Sequence, residues 1–294
     1  MDLARTLLAL TVVAALPAAA TPDAHPQLVV RSGVDLVRVT TTVTDSAGRF
    51  IPGLVQDDFT VLDDGQPQPI LSFSAERVPV SLGIVLDTSL SMDTKLATAN
   101  AAVKRFTNDL LGSDDELFLA AFHQKTWLHQ TWTTDRTLLN AALAKTSIGA
   151  GTSLYDAIQL TLPIAAAGRH PKKALLVLSD GDDTSSDIRL PTLQALIRAS
   201  DVLIYALAMK GDDNVLKEKN LRTITDDTGG RTEIVRSPRN LAAATAKIAD
   251  ELNQQYLIGY AMPHASDREW HSIQVKVRQR GARVRARAGY LAGR

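Results

Sequence analysis

From about Val80 onward, unbroken apolar runs alternate with segments whose apolar residues fall three and four apart. Residues 80–86 and 174–178 are runs of the first kind, the pattern of parallel strands buried on both faces. Between them, Leu96, Ala99, Val103, Phe106 and Leu110 mark one face of a helix. Residues 117–122 and 126–131 predict a hairpin, and residues 138–144 and 154–166 predict helices. A helix at 193–199, a strand at 202–208, a short helix from Leu221 stopped by Gly229-Gly230 and a strand at 232–235 follow. Leu241, Ala244, Ile248 and Leu252 give a last helical face. This rhythm predicts a doubly wound α/β unit with a mostly parallel sheet, Rossmann-like in its winding, over residues 78–255.

The flanks read differently. Val37, Val39, Thr41 and Val43 alternate with Arg38, Thr40 and Thr42, the period of a half-buried strand. Residues 59–62 form another, turned by Asp63-Asp64-Gly65, and residues 70–73 lead out. Beyond the α/β unit, residues 256–260, 273–278 and 283–288 are strand candidates, the last two read as a hairpin around 279–282. Neither flank, 21–77 or 256–294, is large enough to bury a good core alone. The expected architecture is therefore an α/β unit inserted between two β segments that together form one β-sandwich.

The N-terminus changes the picture of location. Arg5, an apolar stretch at 7–16, Pro17 and Ala18-Ala19-Ala20 form the pattern of a secretory signal peptide over 1–20. The apolar core is shorter than the roughly 20 residues that span a bilayer. The mature chain is thus expected to be secreted or periplasmic, with no integral membrane segment. A formal net charge of zero gives no reason to expect nucleic acid as a partner. No cysteine is present, which excludes disulfides, thiolate metal sites and a cysteine nucleophile.

Candidate chemistry gathers where strands end. Asp87, Ser89 and Ser91 follow the first buried strand at i, i+2 and i+4. Asp180 ends the second, and Thr152 stands in the glycine-rich loop 149–153 that opens a helix. In open α/β sheets, ligands bind outside the carboxyl ends of strands. Two carboxylates there repel unless a cation lies between them. Oxygen donors without His or Cys suit Mg²⁺, Mn²⁺ or Ca²⁺.

Asp87-Thr88-Ser89-Leu90-Ser91-Met92, Gly151-Thr152-Ser153-Leu154-Tyr155-Asp156 and Ser179-Asp180-Gly181 resemble the three parts of the metal-ion-dependent adhesion site of von Willebrand factor type A domains. The resemblance implies a divalent ion, Mg²⁺ first, contacted by Ser89, Ser91 and Thr152, with Asp87 and Asp180 acting directly or through water. Leu90 stands where glycine is common in that motif. In the flanks, Gly53-Leu54, Asp58-Phe59, Asp64-Gly65, the 256–260 strand and Arg285-Ala286-Arg287-Ala288-Gly289-Tyr290 look like the bacterial VWFA-related proteins described from acidobacteria.

Other constellations are weaker. No G-x-S-x-G elbow and no G-x-x-x-x-G-K-[ST] phosphate loop occurs. His123 and His129 flank a turn, where they read as exposed strand residues in preference to a zinc pair. Asp182 and Asp183 read as a solvated rim, or as residues that tune the field near the ion. The Arg-rich C-terminal strands read as a charged edge, and Trp127 and Trp132 as packing residues. The expected function is an exported, non-enzymatic binding module whose ion takes a carboxylate from the Asp or Glu of a partner protein. The alternative is an extracytoplasmic scaffold or assembly factor with a purely structural metal. A metal-dependent hydrolase stands third, because no general base is evident beside the metal ligands.

Overall fold

The computed structural model describes residues 35–209 and 215–293. The expected leader at 1–20 and the linker after it lie outside the described residues. No helix among the described residues is long and apolar enough to cross a membrane.

The first flank supplies β1 (Leu36–Thr44), β2 (Phe59–Asp63), β3 (Gln66–Gln68) and β4 (Ile70–Ser74). The chain then enters the α/β unit through β5 (Val80–Asp87), α1 (Asp93–Arg105), β6 (Glu116–Phe122), β7 (Thr126–Thr133) and α2 (Arg136–Leu143). It continues through α3 (Leu154–Ala166), β8 (Lys172–Ser179), α4 (Leu190–Arg198), β9 (Leu203–Met209), α5 (Val215–Asp226), β10 (Thr232–Val235) and α6 (Pro238–Gln254). The second flank holds β11 (Tyr256–Ala261), β12 (Trp270–Val277), β13 (Arg283–Arg285) and β14 (Gly289–Leu291).

The central sheet runs β10-β9-β8-β5-β6-β7, all parallel except β7, which hairpins back from β6. Every residue of β5 is buried, because helices cover both faces. Ala99 and Val103 of α1, Leu139 of α2 and Ile248 of α6 pack on one face. Ile158 of α3, Leu193 of α4 and Leu221 of α5 pack on the other. The fold is thus α/β with a mostly parallel central sheet, accompanied by antiparallel sheets from the flanks.

Two such sheets form, in the orders β13-β1-β11-β4 and β14-β12-β2-β3. Strands from before and after the α/β unit interleave in both: β1 pairs with β11 and β2 with β12. Val39, Val61, Ile258, Tyr260 and Val275 fill one shared core.

Two local readings change. The last two strands are not a hairpin: β12 pairs with β2 and β14, while β13 crosses to β1. The reason lies in Arg285, which ion-pairs with the buried Glu251 of α6 and donates from Nε to the Gly229 carbonyl at 3.0 Å. Gly229 has φ +83°, and a Cβ there would stand 2.7 Å from the Ala286 carbonyl carbon, so only glycine admits this approach. The Arg-rich segment is therefore in part an internal ion-pair partner and not only a charged edge. The short helix from Leu221 begins earlier, at Val215, with the polar first turns supported by the Glu218–Arg222 pair at 2.8 Å. His129 falls in a bulge between the Ala120–Leu128 and Leu119–Gln130 pairs, and the His123 ring packs against Trp127 at 4.3 Å with the planes tilted by 42°, so the two histidines do not face each other.

Candidate metal centre

Three loops meet at the carboxyl ends of β5 and β8, and each pair is tied by hydrogen bonds. Ser179 Oγ donates to Asp87 Oδ2 at 2.6 Å, joining the β5 and β8 mouths. Gly149 N donates to Thr88 O at 2.9 Å, laying the glycine-rich loop beside the first. Thr184 N and Ser185 N donate to Thr152 O at 2.8 and 3.0 Å, fastening that loop to the segment after Asp180.

Asp87 ends a fully buried strand and is itself buried. Its Oδ1 accepts from Ser89 N at 2.8 Å, which turns the chain sharply out of the sheet. Ser89 takes extended backbone angles, a short 3₁₀ turn at Leu90–Met92 follows, and α1 begins at Asp93. Neither serine side chain caps this turn. Instead Ser89 Oγ and Ser91 Oγ lie 3.1 Å apart. Thr152 and Asp180 are also buried, at 5% and 7% exposure. Thr152 is not a helix cap either, since the residue preceding α3 is Ser153, whose Oγ donates to Gln124 O at 2.9 Å.

The electrostatics are those of anions gathered out of water. Burial, opposed by hydrogen bonds from Ser179 and Ser89 and reinforced by the Asp180 charge, pushes the Asp87 carboxyl up to about 6. Lys95 of α1 brings the nearest compensating charge. Its Nζ lies 3.7 Å from Asp180 Oδ2 and donates to Met209 O at 3.3 Å.

The donor set fits a hard divalent cation. Asp87, Ser89, Ser91, Thr152 and Asp180 all offer oxygen. Adjacent ligands of an octahedral Mg²⁺ with bonds of about 2.1 Å stand about 3.0 Å apart, close to the 3.1 Å between the two serine hydroxyls.

Two participants, Ser179 and Lys95, carry no site role in the sequence reading, and a third, Asp183, is more buried than the sequence reading has it. Ser179 precedes a motif aspartate but reads as the last residue of a strand. Lys95 reads as one polar position on a helix. Asp183 was taken for a solvated rim, yet it is half-buried: it accepts from Tyr155 N at 3.2 Å and Ser186 Oγ at 2.5 Å, holding the first turn of α3. Burial raises its carboxyl pKa despite these bonds.

Residues 82–182 match the family model described as von Willebrand factor type A domain. Among solved structures, the vWF domain of the type V pili tip protein Mfa5 from Porphyromonas gingivalis superposes with TM-score 0.53 at 16% identity, over 61% of this chain and 96% of that one. The α/β unit has the von Willebrand factor type A fold. A von Willebrand factor type A protein from Catenulispora acidiphila matches with TM-score 0.52 at 15% identity, over 89% of this chain and 75% of that one. The PilB minor pilin from Streptococcus sanguinis gives TM-score 0.52 at 11% identity, over 62% and 63%. No curated protein matches the chain by sequence. In this von Willebrand factor type A unit, Asp87, Ser89, Ser91, Thr152 and Asp180 all stand at the carboxyl end of the central sheet.

Proposed function

We propose that the chain is a protein-binding module that recognises a carboxylate of its partner through a divalent cation, Mg²⁺ first and Mn²⁺ or Ca²⁺ as substitutes. Ser89, Ser91 and Thr152 would hold the ion, with Asp87 and Asp180 balancing its charge directly or through water. The observation that carries this reading is the buried Asp87 beside Asp180, with two hydroxyls 3.1 Å apart at the same mouth. A bound ion supplies a centre of positive charge whose remaining position favours an anionic oxygen.

The chain's own groups set the geometry. Ser179 and the Ser89 amide fix the Asp87 carboxylate, leaving it little freedom to rotate. Leu90, between the two serines, is 64% exposed and offers an apolar contact beside the ion. The pilus tip domain and the minor pilin named above share only the fold, but a surface-displayed role agrees with the leader expected at 1–20. We read the module as exported and non-enzymatic.

A second reading follows from Lys95. Its ammonium already lies near Asp180, so the site can be partly balanced without an external ion, and the unit would then dock as a scaffold with any metal purely structural. Capture on the immobilised full chain from cell-envelope extract separates the two. The adhesion reading expects a partner retained with Mg²⁺, released by chelator, and lost with Thr152→Ala. Retention indifferent to chelator supports the scaffold.

A further inference from the structure

A second cluster of metal-ligating side chains lies far from β5 in the sequence, within the sandwich. Asp63, Asp64, His264 and His271 each present one ligand atom, and these atoms all lie within 4.8 Å of one another. Asp63 ends β2 and Asp64 begins the turn into β3, His271 lies on β12, and His264 stands in the loop before it. The cluster therefore joins the two flanks.

The two inner members are fixed. Asp63 is buried, and its Oδ2 accepts from Tyr260 OH and Tyr290 OH, both at 2.9 Å. Its other oxygen, Oδ1, is buried with no hydrogen-bond partner. A buried carboxylate oxygen left unpaired is costly, and a cation is one way to satisfy it. His271 is also buried. Its Nε2 lies 3.1 Å from Asp267 Oδ1, and its Nδ1 lies 2.7 Å from Asp64 Oδ2. With Nε2–H donating to Asp267, a proton lies between Nδ1 and Asp64 Oδ2, and its release frees the Nδ1 lone pair for the cluster. A carboxylate that orients a histidine from behind is the usual support of a metal-bound imidazole.

The two outer members, Asp64 and His264, have side chains each 44% exposed. Asp64 Oδ1 accepts from Ser272 N at 2.8 Å and Ser272 Oγ at 3.0 Å, so His264 is the member that can adjust. The His264 ring lies flat on His271, 4.2 Å away with 9° between planes. It must turn to aim a nitrogen inward, which an exposed side chain can do. Tetrahedral ligands at about 2.1 Å from zinc stand roughly 3.4 Å apart, so closure needs movements on the order of 1 Å.

We propose that Asp63, Asp64, His264 and His271 form a site for a borderline transition cation, Zn²⁺ foremost, that staples the N- and C-terminal β segments together. Mixed imidazole and carboxylate donors select this class over Mg²⁺. Binding displaces the proton shared by His271 Nδ1 and Asp64. Because the ligands come from chain segments some two hundred residues apart, ion binding adds to the stability of the assembled sandwich.

The test uses the full chain with Mg²⁺ in excess, so that hard-ion sites are saturated. Zn²⁺ is titrated calorimetrically and by thermal melting, and Co²⁺ is added as a visible-absorbing probe of four-coordinate N/O ligation. The wild type is expected to bind one Zn²⁺ per chain, to melt higher, and to give the Co²⁺ spectrum. His264→Ala, an exposed substitution that leaves the core intact, should lose all three responses. A wild type that binds no Zn²⁺ overturns the proposal. So does a response of equal size in His264→Ala, which would place the ion elsewhere.

Discussion

Ser179 Oγ donates to Asp87 Oδ2 across 2.6 Å, between the carboxyl ends of two neighbouring parallel strands. The hydroxyl also accepts from Gly181 N at 3.0 Å, so one side chain positions both the first carboxylate and the loop that carries the second. Removing it leaves a buried carboxylate oxygen short of a partner. Ser179→Ala is expected to lower stability by about 1–3 kcal/mol, and to weaken Mg²⁺ binding through loss of Asp87 orientation. Denaturant unfolding and Mg²⁺ titration check the two effects separately.

At the proposed metal centre, Lys95 would compete with a cation for Asp180. A positive charge 3.7 Å from a ligand carboxylate repels an incoming ion. Lys95→Met is therefore expected to bind Mg²⁺ several-fold more tightly than the wild type while its metal-free form becomes less stable. Unchanged affinity would show that the ammonium does not act on the site.

Glu251 ties the α/β unit to the sandwich. Its Oε1 accepts from Tyr205 OH at 2.9 Å and Thr42 Oγ1 at 3.2 Å, and its carboxylate pairs with Arg285 and, at 3.3 Å, with Arg231. Taking the anion away leaves Arg285 without its carboxylate, while Arg231 keeps Glu233 at 2.9 Å and both guanidinium groups retain some solvent, so the cost falls at the lower end of the buried-pair range. Glu251→Gln should lose about 3 kcal/mol in urea unfolding.

Lys172 is buried and donates from Nζ to Leu252 O at 2.7 Å, near the C-terminus of α6. Burial, with the Arg77 charge adding, lowers its pKa to about 8. The folded value lies below the unfolded one, so the unfolded chain binds more protons between about pH 8 and 10.5. The penalty is full below about pH 8 and vanishes above the unfolded value. Relative to Lys172→Met, the wild type should gain stability as pH rises through that window, by an amount on the order of 3 kcal/mol. Parallel stability–pH curves for the two proteins would contradict this.

Much of this was legible in the sequence because the signals are local. The apolar runs of β5 and β8 announce strands buried on both faces, Asp87, Ser89, Ser91 and Asp180 sit at fixed offsets from their ends, and Thr152 stands just before α3. What escaped depends on contacts across the chain. Arg283–Arg285 alternates as any edge strand does, and only the buried Glu251 on α6 decides that it joins β1. Asp63-Asp64-Gly65 is a good turn signal, and nothing local reveals that Asp63 points at Tyr260 and Tyr290 or that Asp64 meets His271. Asp183 looks like one of several acidic loop residues until the start of α3 is placed against it.

The central claim is that a divalent cation is held at the mouth of β5 and β8. Direct titration of Mn²⁺, followed by electron paramagnetic resonance of the free ion, tests it in wild type and in Ser89→Ala. The Ser89 hydroxyl meets Ser91 Oγ and also bonds the Asp87 carboxylate, while the Ser89 N–H bond to Asp87 survives the substitution, so its loss should leave the fold intact. The account predicts one Mn²⁺ site per wild-type chain, displaced by Mg²⁺, and a severe loss of affinity in Ser89→Ala. A wild type that leaves the Mn²⁺ signal unchanged, or a Ser89→Ala chain that binds as tightly as the wild type, would contradict it.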